Sequence, residues 1–138
     1  MYILFSFTLI LSPIKAKSPK QMEAIITEAA QAVCEMLSGV DYLESNFRTL
    51  LARQLRQKAL LVHEEVVVAY IVNQIPFGHG FVDIVIQTPN GAILLELKTT
   101  KKDCTRQLQK YLKNWKYTPV LGGATINFVN DEAKINFV

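Results

Sequence analysis

FVDIVIQTPNGAILLELK, residues 81 to 98, decides how this chain is read. Two apolar runs, FVDIVIQ (81 to 87) and AILLELK (92 to 98), flank TPNG, whose Asn90-Gly91 pair is the strongest short-range hairpin signal. Whether the loop is Asn90-Gly91 alone or all four residues from Thr88, directly opposed residues have numbers summing to an odd value. Side chains alternate along a strand and cross-strand partners point the same way, so Asp83, Glu96 and Lys98 share one face. The four-residue loop sets Asp83 directly opposite Glu96; the two-residue loop makes them diagonal neighbours. A three-residue loop would separate them.

Converging carboxylates repel, and each resists ionising beside the other unless a cation is shared between them. Oxygen ligands without a Cys or His cluster suit Mg²⁺ or Mn²⁺ rather than zinc, and Mg²⁺ typically takes one or two carboxylates while keeping several waters. Lys98, one pleat beyond Glu96, is then placed to orient an attacking water and to offset charge developing on a phosphate. The same three side chains also fit the solvated face of an ordinary hairpin, with Lys98 neutralising Glu96, because a D…ExK spacing by itself is common.

The chain around this hairpin has the make-up of one folded domain. At 138 residues, half of them apolar, it buries roughly two thirds of its unfolded surface, and no repeat or low-complexity tract interrupts it. Cys34 and Cys104 fall on apolar helical stripes and read as free buried thiols rather than a disulfide scaffold or zinc site. A net charge of +3 and a pI near 8.9 permit a nucleic-acid partner without requiring one.

MYILFSFTLILSPI, residues 1 to 14, is too short to span a bilayer and lacks the basic residues of a signal-peptide start. Pro13 interrupts it, and cleavage after Ala16-Lys17-Ser18 would leave Pro19 next. A weak signal peptide, an extra strand or interfacial anchor, and a leader of no functional weight are the open readings. We expect residues 1–17 to be an extension of the domain at 18–138, and the protein to be intracellular without stable membrane association.

Ser18-Pro19 reads as N-cap and first helical residue, followed by Met22, Ile25, Ile26, Ala29, Val33, Met36 and Leu37 at helical spacing, with Gly39 as the stop. A second helix is expected from around Asp41, its stripe made by Leu43, Phe47, Leu50, Leu51 and Leu55. Glu44 borders that stripe, within reach either of a site between helix and sheet or of Arg48 one turn on. LLVHEEVVVAYIV (60 to 72) reads as a strand, and 73 to 80 as a turn. After Lys98 a third helix follows, with Cys104, Leu108, Tyr111, Leu112 and Trp115 as its stripe and Thr100 or Asp103 as its cap. ATINFV (124 to 129), an Asn130-Asp131 turn and KINFV complete an ααβββαββ order, and alternating types on a mixed sheet predict an α/β sandwich.

Gln107 borders the third helix's stripe, as a contact to the acidic site or a half-buried spacer. Lys102, Arg106, Lys110 and Lys113 line its other face, as a phosphate-tracking surface or simply a solvated one. His63, in an apolar strand, reads as structural; His79, between Gly78 and Gly80, reads as a loop residue with at most a supporting contact to substrate. No Gly-rich phosphate loop, nucleophile elbow or CxxC pair is present.

With these elements in order, the chain resembles the PD-(D/E)XK nuclease superfamily, and within it the small GxxExxY proteins. LESNFRTLLARQL (43 to 55) is similar to their first-helix signature, GFVDIVI (80 to 86) to their acidic strand and LLELK (94 to 98) to their catalytic strand. RQLQKYL (106 to 112) and TINF (125 to 128) resemble the helix and strand that follow, so the likeness runs from about Met22 to Val138.

The resemblance implies a restriction-endonuclease-like αβββαβ core with a mixed central sheet flanked by helices. It implies a Mg²⁺- or Mn²⁺-dependent nuclease acting on nucleic acid, DNA foremost, with Asp83 and Glu96 as metal ligands and Lys98 positioning water. Glu44 would complete the acidic site and Gln107 support it. The alternative is a catalytically inactive nucleic-acid- or protein-binding module on the same fold. Two positions depart from the signature: its glycine is Asp41 here and its tyrosine is Phe47.

Overall fold

A computed structural model describes residues 17–138, so the readings attached to residues 1 to 16 lie outside the described residues. Helix α1 (Pro19–Leu37) begins where expected. The Ser18 hydroxyl accepts the Gln21 N–H at 3.1 Å while Gln21 Oε1 accepts the Ser18 N–H at 2.7 Å, satisfying two of the helix's open donors reciprocally. Helix α2 (Glu44–Arg56) begins later than Asp41, because Asn46 Oδ1 captures the Leu43 N–H at 2.7 Å and sets the first turn there.

Strands β1 (Leu61–Val72), β2 (Ile75–Thr88) and β3 (Gly91–Lys98) form an antiparallel meander. Helix α3 (Thr105–Asn114) then crosses over to β4 (Val120–Val129), which lies parallel to β3 and pairs with the antiparallel edge strand β5 (Glu132–Phe137). The sheet order is β1-β2-β3-β4-β5, the mixed α/β sandwich that the sequence predicts. The N-cap of α3 is Cys104 rather than Thr100 or Asp103; Asp103, one residue earlier, accepts the Thr105 N–H at Oδ1 (2.9 Å) and so sets the helix start after Cys104.

The expected turn from 73 to 80 is a strand. Only Asn73 and Gln74 turn, both at positive φ (49° and 67°), and β2 starts at Ile75. Gly78 and Gly80 make room for aromatic rings instead of bending the chain. A Cβ on Gly80 would collide with the hydroxyls of Tyr70 and Tyr111, and one on Gly78 would meet the Tyr70 ring at 3.6 Å. His79 is therefore an exposed strand residue beside Phe81, and His63 is exposed rather than structural.

The two faces of the sheet are covered unequally. Ile84, Ile86, Leu95, Leu97, Ile126 and Phe128 pack against α1 and α2, while Val82, Val85 and Leu94 pack against Leu108 and Tyr111 of α3. Alternation along β3 thus turns Glu96 and Lys98 toward the α3 side. Strand β2 changes sides at Asp83, with Val82 in one core and Ile84 in the other. The β1–β2 ladder skips the Glu65/Asp83 pair at this point, and Glu65 takes φ 51°. Cys34 and Cys104 are free and buried, as expected. Among the described residues no helix is long and apolar enough to cross a membrane.

Candidate active site

Ile84 opposes Leu95 and Thr88 opposes Gly91, so the hairpin closes on Pro89-Asn90 in the register expected for the four-residue loop. Asp83 consequently lies across from Glu96, and the regular ladder stops one residue short of them. Their side chains continue the pairing. The Asp83 N–H donates to Glu96 Oε1 at 3.2 Å, and the Leu97 N–H donates to Asp83 Oδ2 at 2.8 Å. Each strand's carboxylate satisfies an amide of the other, which holds the acids together without consuming their remaining oxygens.

Glu96 is 5 % exposed and Asp83 is half-buried. Burial, then the neighbouring Asp83 charge, pushes the Glu96 carboxyl up to about 8. Burial also raises Asp83, with Glu44 adding to the effect, while the Leu97 amide, Arg48 and Lys98 oppose it. The pair is short of positive charge. Burial and the repulsion between the acids outweigh Lys98, Arg48 and the amides, so Lys98 does not neutralise the pair.

Glu44, the first residue of α2, brings its charge to both acids, and Lys98, the last residue of β3, acts on both with the opposite sign. Gln107 is one step removed: its Nε2 donates to the Tyr70 hydroxyl at 3.1 Å, beside Tyr111, which feels the Glu96 charge. Arg106, Lys110 and Lys113 are exposed on α3, with Lys110 Nζ 4.0 Å from the centre of the Tyr70 ring, whereas Lys102 lies in the loop ahead of the helix and not on its face, because Asn127 holds its carbonyl against β4.

Arg48 does not pair with Glu44. Its Nη1 lies 3.0 Å from Glu65 and its Nε 3.6 Å from Glu64, too far for a hydrogen bond, so that buried N–H has no partner. It is also a cation acting on Asp83, a role hidden in the sequence because β1's glutamates meet α2 only in the fold. Tyr111 was legible as a core residue but not as a neighbour of Glu96. Its phenol is raised chiefly by burial and then by that carboxylate.

The donor set fits a hard divalent cation. Asp83 and Glu96 offer oxygens alone, and no group of three or more His, Cys, Asp or Glu side chains among the described residues is arranged to hold a metal. Two carboxylates with the remaining positions left to water is the arrangement Mg²⁺ takes, whereas zinc prefers sulfur and nitrogen.

A family model described as the PD-(D/E)XK nuclease superfamily matches residues 20–137. Among solved structures, the crystal structure of SSO0001 aligns with a TM-score of 0.48 and 17% identity, covering 99% of this chain and 78% of that one. No curated protein matches significantly.

Proposed function

Because the chain belongs to the PD-(D/E)XK nuclease superfamily, we propose that it is a Mg²⁺- or Mn²⁺-dependent nuclease that hydrolyses phosphodiester bonds, with DNA as its substrate. The observation that carries this reading is the pair of buried Glu96 and half-buried Asp83, joined through two backbone amides and flanked by a single lysine at the end of β3. Asp83 and Glu96 hold the ion, which when bound polarises the phosphate and acidifies water. Lys98 orients the attacking water and offsets the negative charge that gathers on the phosphate oxygens as the new P–O bond forms and an ester P–O bond breaks. Glu44 extends the acidic site from α2. Gln107 positions the tyrosine pair beside Glu96.

We place the nuclease domain at residues 18–138 and assign it to the GxxExxY proteins on the motifs quoted above. Neither departure removes a proposed ligand. Asp41 is exposed ahead of α2, and Phe47 is buried, stacked on Phe128 with ring centres 4.0 Å apart, where a tyrosine hydroxyl would need a partner.

Incubating the purified protein with single-stranded, double-stranded and branched DNA, with and without Mg²⁺ or Mn²⁺, tests the proposal. Metal-stimulated cleavage that disappears in Asp83→Asn and Glu96→Gln is the expected result. Binding without cleavage under any metal would instead make the chain an inactive nucleic-acid module.

A further inference from the structure

Beyond Glu96 and Lys98, the sheet continues across β4, where Leu108 of α3 packs over Gly123, and on to the edge strand β5. The α3 core takes Val120 from β4 and nothing from β5, which leaves an open groove of about 620 Å³ beside the acids. Two cross-strand rows lead into it. Glu96 is level with Thr125, which is level with Asn136; Lys98 is level with Asn127, which is level with Lys134. Register partners project to the same side, so the groove floor continues the face that carries Glu96 and Lys98. Two strand spacings carry it about 10 Å from the acids to the sheet edge.

The groove wall is fixed in place. Asn127 Nδ2 donates to the Thr100 and Lys102 carbonyls at 2.7 and 2.8 Å, pinning the β3–α3 loop against β4 and setting Lys101 on the rim across from Lys134. Two acids also line the groove. Asp103 is engaged by the Thr105 amide, and Glu132 stands level with Val129, at the turn end of the β4–β5 pair. Val129 and Ile135 add apolar surface, and the lysines, side-chain amides and threonine hydroxyl are the groups that suit a phosphodiester backbone.

We infer that this groove carries the nucleic-acid strand on one side of the scissile phosphate, with Lys101 and Lys134 gripping flanking phosphates. The inference rests on the nuclease reading for its ligand but not for its test. Binding of a fluorescein-labelled single-stranded DNA to the full chain is followed by anisotropy in EDTA across a salt series, so that cleavage plays no part. Variants are Lys101→Ala, Lys134→Ala, the double variant, and Lys20→Ala on the opposite face as control, each checked by circular dichroism.

Loss of two phosphate contacts should weaken binding roughly ten- to thirtyfold at ~0.1 M salt and flatten the log–log salt slope by about 1.4. The control should bind as wild type. A double variant that binds like the control overturns the groove alone. Failure of the wild type to bind overturns the groove together with the nucleic-acid reading. Groove-dependent binding without metal-stimulated cleavage upholds the groove and removes the nuclease.

Discussion

Glu96 is the residue whose protonation governs the metal-free protein. Its carboxyl lies at about 8 in the fold against an ordinary 4.5, so the folded state binds a proton more tightly than the unfolded chain does. That contribution to stability is complete below pH 4.5 and is lost as pH rises through about 8. Chemical denaturation of the metal-free protein should therefore show stability falling across this window, and Glu96→Gln should flatten the fall. Mg²⁺ requires the ionised carboxylate, so calorimetric affinity should increase with pH toward 8 and proton release should accompany binding below it. Affinity independent of pH would disconnect Glu96 from the metal.

Lys98→Ala addresses the chemistry separately. It should lower kcat by about a hundredfold while leaving DNA affinity within about twofold, because one amine acts on the transition state and many contacts share the binding. Asp83, Glu96 and Lys98 were legible from hairpin parity alone, since every admissible loop with an even residue count puts them on one face. Arg48 was not. Its nearest sequence partner is Glu44 at helical spacing, and only the packing of α2 on β1 delivers Glu64 and Glu65 to it.

At the scale of elements, the β1–β2 hairpin is the part that sequence reasoning mistook, and the reason is chemical. Gly78 and Gly80 imitate a turn signal, whereas the actual turn residues, Asn73 and Gln74, include a glutamine that seldom adopts positive φ. Gln74→Gly should relieve that conformation and stabilise the protein by about 0.5–1 kcal/mol, read as a higher Tm. Gly80→Ala should do the opposite. Its methyl group meets two buried phenols held from β1 and α3, and overpacking of this kind costs about 1–3 kcal/mol. Tyr70→Phe in the same chain removes one of the colliding hydroxyls and should recover part of the loss; no recovery would locate the strain in the backbone.

For the whole molecule, element order and the α/β layering followed from periodicity, because long amphipathic helices and apolar strands carry strong signals. The β2–β3 pairing followed from its turn and register, but the neighbour on the other side of β3 did not. The parallel β3–β4 pair depends on where α3 returns the chain, and that pair creates the open groove. The layering also separates the two thiols: Cys34 belongs to the α1–α2 core, and Cys104 lies at the start of α3, close enough for Glu96 to influence it. Burial raises both, Cys34 to about 11, so neither reacts appreciably with an alkylating reagent at neutral pH until its layer opens. The α3 layer rests on a single helix of 10 residues, against 19 and 13 in the other layer, and the smaller unit detaches at lower free energy. Cys104 should therefore label ahead of Cys34 in a timed mass-spectrometric experiment, with Mg²⁺ slowing Cys104 preferentially. A common rate for both thiols would mean that the sheet sheds its two coverings in one cooperative event.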